Sequence, residues 1–253
     1  IKNDKAILPI KELQKKSIAY VNFGDDSGEY FLKELKTYGE VTWVKASSLD
    51  EYIEKLKAFN YVIIGYHKSN DTPWKKFEFS DKEMVWLYEI SRKNTVILDV
   101  FARPYAMLDL KSTANFEGVI MSYQNSKISQ ELSAQLIFGA REAKGILPVS
   151  LGKEFPLNTN LNTKSLRRLQ YGTPESVGMN SYKLKKIDSL AKQGIREGMF
   201  PGAQILVARK GKVIYPKSFG YHEYEQKHEV NATNVYALTS STKHLTSLPL
   251  ILK

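Results

Sequence analysis

Residues 61–66, YVIIGY, and residues 95–101, TVILDVF, decide the fold class, because both are short apolar runs rich in β-branched residues. A strand with one wet face alternates polar and apolar side chains, whereas an unbroken apolar run fits a strand covered on both faces, as in a parallel sheet. Between them, Asp81–Ile90 carries Met84, Trp86, Leu87 and Ile90 near helical spacing. Ser80, with Glu83 three residues on, supplies a capping-box pattern at its start. Strand, helix and strand in that order form one crossover unit of a parallel sheet.

The same alternation extends outward. Ser17–Phe23 (SIAYVNF), Val41–Ala46 (VTWVKA) and Gly118–Tyr123 (GVIMSY) read as further strands, and Glu29–Tyr38, Leu49–Phe59 and Gln130–Ala140 as further helices. Residues 1–150 are therefore predicted to form an α/β domain, a doubly wound and mainly parallel sheet between helices, an αβα sandwich. Trp43 and Trp86 lie on apolar faces and are expected in the core, while Trp74 sits in the loop Asn70–Phe77. Residues 151–176 are rich in Asn, Thr and Ser with neither period, and read as a linker. Residues 177–253 then open a partial α+β segment, a helix plus a β-hairpin. The helix is Ser181–Gly198, with Asn180 as N-cap; the hairpin strands Ala203–Arg209 and Lys212–Ser218 flank Lys210-Gly211.

Composition narrows the chemistry. The 253 residues include no cysteine, which removes disulfides, thiol nucleophiles and cysteine-held metals. No apolar run reaches the length of a membrane span. The net charge of +10 is uneven: residues 1–150 hold 21 Lys+Arg against 20 Asp+Glu, and residues 151–253 hold 16 against 7. Apart from Lys183, Lys185 and Lys186 the basic residues are spread out, so a solvated face is expected and nucleic acid is not. His67, His222, His228 and His244 lack metal-ligand spacing, and neither metal nor cofactor is expected. Gly24-Asp25-Asp26-Ser27-Gly28, with Asp99 in a later strand, has the outline of a flavodoxin-like phosphate loop but no Walker lysine, and is expected to be an ordinary turn. The carboxylate pairs Asp25 with Asp26 and Asp71 with Glu78 are expected to serve as caps, turns and surface groups. A first residue Ile1 and an apolar ending, Leu248–Lys253, suggest an internal piece of a longer chain.

Ser240-Ser241-Thr242-Lys243 is the sharpest motif. On a helical turn, positions i and i+3 share a face, which brings a lysine amine beside a serine hydroxyl. A serine attacks only when a neighbouring base takes its proton, and a lysine does so only when desolvation or nearby charge lowers its pKa. Amide groups at a helix start also suit a developing oxyanion. The competing reading makes Ser240 an N-cap and Lys243 a solvated side chain.

From Gly172 the chain reads GTPESVGMNSYKLKKIDSLAKQGIREGMFPGAQILVARKGKVIYPKSFGYHEYEQKHEVNATNVYALTSSTK. This resembles the opening of the serine β-lactamase and penicillin-binding-protein superfamily, especially its esterase-like and class C branches. The resemblance implies Ser240 as acyl-accepting nucleophile and Lys243 as its base partner. Thr239 departs from the small apolar residue of many relatives, and Pro249 is expected to kink or end the helix. The later Tyr- or Ser-centred motif and the basic strand triplet of that superfamily are not in the sequence, so this portion is expected to hydrolyse no acyl substrate by itself.

Ile7-Leu8-Pro9-Ile10, Val100-Phe101-Ala102-Arg103-Pro104-Tyr105, Gly118–Asn125, Phe138-Gly139 and Gly145-Ile146-Leu147-Pro148-Val149-Ser150 together resemble the C-terminal domain of glycoside hydrolase family 3. Joined to a β-lactamase-like segment, it resembles a fusion found among bacterial β-N-acetylglucosaminidases, in which a TIM barrel bears the glycosidase chemistry. The resemblance implies a glycan-processing parent with a carbohydrate substrate, an N-acetylglucosaminide or a peptidoglycan-derived one. It implies as partners that barrel and the remainder of the serine hydrolase domain, and an exported, periplasmic or envelope-associated setting. It transfers no glycosidase residue to this chain. Two other classes compete: a non-catalytic module binding a partner chain or an anionic wall polymer, and a flavodoxin-like nucleotide or flavin binder.

Overall fold

The computed structural model describes residues 1–71, Trp74 and residues 77–251. The chain forms two compact units, Ile1–Gln170 and Tyr171–Lys253. In the first, the strands are β1 (Lys2–Asn3), β2 (Ile18–Gly24), β3 (Val41–Trp43), β4 (Tyr61–His67), β5 (Val96–Phe101) and β6 (Gly118–Met121). They build a six-stranded sheet in the order β1-β6-β5-β4-β2-β3. Every pair is parallel except β1 with β6, a short antiparallel edge that the sequence reading missed. Two residues carry too little pattern to be seen as a strand.

Burial on both faces explains the unbroken apolar runs. Ile18, Tyr20, Ile63 and Ile97 pack with residues of α1 (Glu29–Leu35) and α4 (Lys127–Ile137). Val21, Val62, Ile64, Leu98 and Val100 pack with residues of α2 (Leu49–Leu56) and α3 (Asp81–Lys93). Each such side chain contributes about 1.5–3 kcal/mol relative to exposure. The capping box of α3 is formed: Ser80 Oγ accepts from Glu83 N at 3.3 Å, and Glu83 Oε2 accepts from Ser80 N at 2.9 Å.

Two expectations need correction. Trp43 is 43% exposed, with the Lys45 ammonium 3.6 Å from its ring centroid. Its strand is the sheet edge and only three residues long, so the indole is not enclosed. Trp86 does pack against the core, beside Phe23 and Tyr52. Trp74 is 90% exposed; Thr72, Pro73, Lys75 and Lys76 of its loop lie outside the described residues. The second correction concerns residues 151–170, read as linker, which pack as part of the first unit. Leu151 and Phe155 are buried in its core, Ala143 and Thr163 form a β-bridge, and Arg168 Nη1 donates to the carbonyls of Ile10 (2.9 Å) and Phe138 (2.6 Å). Polar composition hid this because the strap is held mainly by hydrogen bonds, with only two large apolar anchors.

The second unit contains α5 (Ser181–Arg196) and the hairpin β8 (Gly202–Arg209) and β9 (Lys212–Gly220), with β7 (Gln170–Tyr171) on the far side of β9. Lys210 and Gly211 both have positive φ, 51° and 75°, the backbone of a tight two-residue hairpin turn. Leu184, Ile187, Ala191 and Ile195 of α5 pack with Tyr215 and Phe219 of β9. Lys217 reaches back to Asp188 at 2.6 Å, and that ammonium holds the Asp188 carboxyl below the usual range. The described chain ends in a π-helical turn, Lys243–Ser247, and α6 (Leu248–Ile251). The backbone stays helical through Leu248–Ile251, so the helix does not end at Pro249 as expected. Among the described residues no helix is long and apolar enough to cross a membrane.

Candidate active site

The carboxyl end of the first unit's sheet is the place to look for a ligand. Strand connections from β2 and β4 run in opposite directions, and open α/β sheets bind ligands at such a switch point. The Gly24–Gly28 loop occupies that place, but the amides of residues 24–27 are spent. The amides of Asp25 and Asp26 donate to His67 O at 3.0 and 3.2 Å, Gly24 N to Glu83 Oε1 at 2.8 Å, and Ser27 N to Asp26 Oδ1 at 2.7 Å. A phosphate cradle needs free amides, and here two carboxylates stand among occupied ones. The loop is thus a closed turn, as the sequence reading expects.

Beneath it lies a polar layer that sequence reasoning overlooked. Tyr20 Oη meets Asn22 Oδ1 at 2.7 Å and His67 Nε2 at 3.0 Å; His67 Nδ1 meets Asn125 Oδ1 at 2.8 Å; Asn125 Nδ2 donates to Asp26 Oδ2 at 2.8 Å. Gln130 Nε2 donates to Asn125 Oδ1 at 2.6 Å, and Gln130 Oε1 accepts from Phe31 N at 2.9 Å. Gly28 is required there, since a Cβ would stand 2.0 Å from Tyr20 Oη. Burial pushes the His67 imidazole down to about 4. Asp99, fully buried on the same sheet face, accepts from Ser122 Oγ at 2.7 Å and from Ser133 Oγ, and burial raises its carboxyl to about 7. Asp99 interrupts an apolar strand, the one signal that marks it in the sequence, whereas His67 closes β4 and carries no such signal.

In the second unit the motif residues occupy the turn that leads into the last helix. Asn231, Thr233 and Asn234 knot the approach: Asn231 N donates to Asn234 Oδ1 at 2.6 Å and Thr233 N to Asn231 Oδ1 at 3.0 Å. Gln204 of β8 donates to the carbonyl of Ala232 at 2.9 Å and so ties that knot to the hairpin. Thr239 has φ +44°, a left-handed conformation costly for a β-branched residue, immediately before Ser240. Lys243 N donates to Ser240 O at 3.2 Å, which places the two residues one helical turn apart.

That turn modifies the expected oxyanion site. Ser241 N donates to Leu238 O at 2.9 Å and Thr242 N to Thr239 O at 3.1 Å, so these amides are committed. The amide of Ser240 itself has no acceptor among the described residues, which makes it the donor available to an oxyanion. Ser240 and Lys243 are both solvent-exposed, as are Val235, Leu238 and Leu245 around them. Proton transfer from serine to lysine asks for a desolvated pair, and these residues alone do not enclose it.

Residues 187–252 match the beta-lactamase family model. That span includes the latter part of α5, the hairpin and the whole Ser240–Lys243 turn. Protein flp of Staphylococcus aureus (strain NCTC 8325 / PS 47) is 33% identical over 67 residues, 26% of this chain and 14% of that protein. Its counterpart from strain N315 matches at the same identity and coverage. The chain therefore matches only a small part of the curated relatives' length. Among solved structures, a family 3 exo-β-xylosidase (XlnD) in complex with a xylobiose aziridine probe aligns with a TM-score of 0.48 at 15% identity, covering 59% of this chain and 23% of that one. A β-glucosidase from Paenibacillus barengoltzii aligns with a TM-score of 0.44 at 14% identity, over 59% and 22%.

Proposed function

We propose that the chain is part of a bacterial glycan-processing hydrolase, in which residues 1–170 are a non-catalytic α/β scaffold and residues 171–253 carry the nucleophile turn of a serine acyl hydrolase. The observation that carries the reading is the coincidence of the beta-lactamase match with a strained Thr239 and a Ser240–Lys243 pair one helical turn apart. Ser240 Oγ is the nucleophile, Lys243 Nζ accepts its proton, and the Ser240 amide steadies the oxyanion. The exposed site is completed by further residues of the parent. On the glycan side, an N-acetylglucosaminide is the substrate class, supported by the family 3 motifs, with the glycosidic chemistry in a separate barrel. Such a parent works outside the cytoplasm.

The test is a pair of assays on the 253-residue chain, with a p-nitrophenyl acyl ester and with an aryl β-N-acetylglucosaminide. Both are expected to stay at background. Ester hydrolysis that disappears in Ser240→Ala would overturn the expectation that this chain is inactive by itself. In a longer polypeptide that closes the site, a fluorophosphonate should add to Ser240 by intact mass, and its failure to do so would remove Ser240 from the mechanism.

A further inference from the structure

Helix α5 carries its charge differently from the helices of the first unit. There, exposed cations have carboxylates one turn away: Lys55 with Glu51 at 2.7 Å on α2, Arg92 with Glu89 at 2.8 Å on α3 and Lys127 with Glu131 at 3.8 Å on α4. On α5 the exposed cations are Lys183, Lys185, Lys186, Lys192 and Arg196, and among the described residues none of them forms an ion pair. The one acidic side chain within the helix, Asp188, is taken by Lys217 of β9 at 2.6 Å, and Lys192 acts on it only at longer range. Glu197, at the end of the helix, accepts from Gln193 at 2.7 Å. No acidic residue stands in the first turn, where Lys183 opposes the helix dipole. Lys183 with Lys186, and Lys192 with Arg196, are like charges one turn apart. Both features cost the helix stability, and an anionic partner relieves both.

The face that bears these cations is held rigidly. Leu184, Ile187, Ala191 and Ile195 pack against the hairpin, and Asn180 Oδ1 caps the start of the helix by accepting from Lys183 N at 3.0 Å. The cations lie on the side turned away from that packing, spread over about 20 Å of helix. Two large apolar side chains are stranded among them: Tyr182 is 77% exposed and Leu190 67%. The Lys185 ammonium stands 5.9 Å from the Tyr182 ring centroid. A polyanion in water would neutralise the cations and leave Tyr182 and Leu190 wet. The surface of an anionic bilayer serves both, with phosphates for the ammonium groups and an acyl boundary for the phenol ring and the leucine.

We infer that the outward face of α5 docks on an anionic lipid surface, with its five cations among the headgroup phosphates and Tyr182 and Leu190 at the edge of the acyl layer. A basic helix face with apolar anchors is the pattern of a surface contact rather than a span. The helix keeps its packing on the hairpin and lies flat. The inference does not rest on the reading given for Ser240.

Sedimentation of the 253-residue chain with vesicles of equimolar phosphatidylglycerol and phosphatidylcholine, and with vesicles of phosphatidylcholine alone, tests it. Binding to the first and not the second is expected, with loss at about 0.5 M salt. Lys186→Gln combined with Lys192→Gln should weaken binding by about tenfold or more. Lys57→Gln combined with Lys93→Gln removes the same net charge from the first unit and should leave binding unchanged. Leu190→Gln should weaken vesicle binding by roughly threefold or more, with no effect on any affinity for soluble polyphosphate. Circular dichroism of each variant establishes that it is folded. Equal binding to both vesicles, equal losses in the two double variants, or no binding at all would overturn the inference. Affinity for polyphosphate without affinity for vesicles, or a Leu190→Gln variant that binds vesicles like the parent, would overturn the lipid assignment in favour of a polyanion.

Discussion

Asp99 and His67 are buried on one face of the same sheet, yet their burial acts on stability with opposite sign. Desolvation holds the Asp99 carboxyl up at about 7, so the folded state keeps a proton that the unfolded chain releases from the ordinary carboxylate range upward. Its contribution to stability is therefore full at acid pH and is lost as pH rises to about 7. His67 is held down at about 4, so the folded state refuses a proton that the unfolded chain takes below about 6.5; its contribution is lost as pH falls through that interval. The two slopes oppose each other. Denaturant titrations across pH 4–7 should show Asp99→Asn gaining on the parent by about 4 kcal/mol as pH rises. His67→Gln should lose about 3 kcal/mol over the same range. Parallel curves for variants and parent would mean that neither group is held as the geometry indicates. Asp99 was visible in the sequence as a polar interruption of an apolar strand, whereas His67 only closes one. Their partners Ser133 and Asn125 were not visible, because α4 and the loop before it meet the sheet only in three dimensions.

At the scale of elements, the start of α3 shows how one local signal acquires a second role. Ser80 and Glu83 cap the helix as their spacing predicts, but Glu83 Oε1 also takes the amide of Gly24 at the end of β2. Removing the cap hydroxyl should cost about 1 kcal/mol. Glu83→Ala removes the reciprocal cap and leaves the Gly24 amide without its acceptor, so roughly 2–3 kcal/mol is expected. Urea unfolding of Ser80→Ala and Glu83→Ala measures the difference, and equal losses would mean that the link to β2 contributes nothing. The other helices and the central strands were legible because their periodicity extends over one or more turns. Edge strand β1 and the left-handed Thr239 before Ser240 were not, since two residues have no period and a left-handed threonine contradicts local propensity.

At the scale of the molecule, the boundary between the two compact units falls at Gln170, so residues 151–170 belong to the first unit's stability. Leu151 and Phe155 each bury an apolar side chain worth about 1.5–3 kcal/mol, and Arg168 adds two hydrogen bonds. A polypeptide of residues 1–170 is expected to unfold cooperatively. One of residues 1–150 should melt roughly 10 °C lower or lose its sharp transition. Calorimetry of the two lengths decides it, and equal melting temperatures would return residues 151–170 to the role of a tether. The sequence alone determined the layered α/β architecture, the helix and hairpin that follow it, and the Ser240–Lys243 spacing, because each is written in periodicity or in near-neighbour positions. Tertiary structure alone decided that the amides of residues 24–27 are spent, that Trp43 is exposed and that the polar strap is structural. These depend on which groups meet across layers, and hydrogen-bond satisfaction and burial have no local pattern to read.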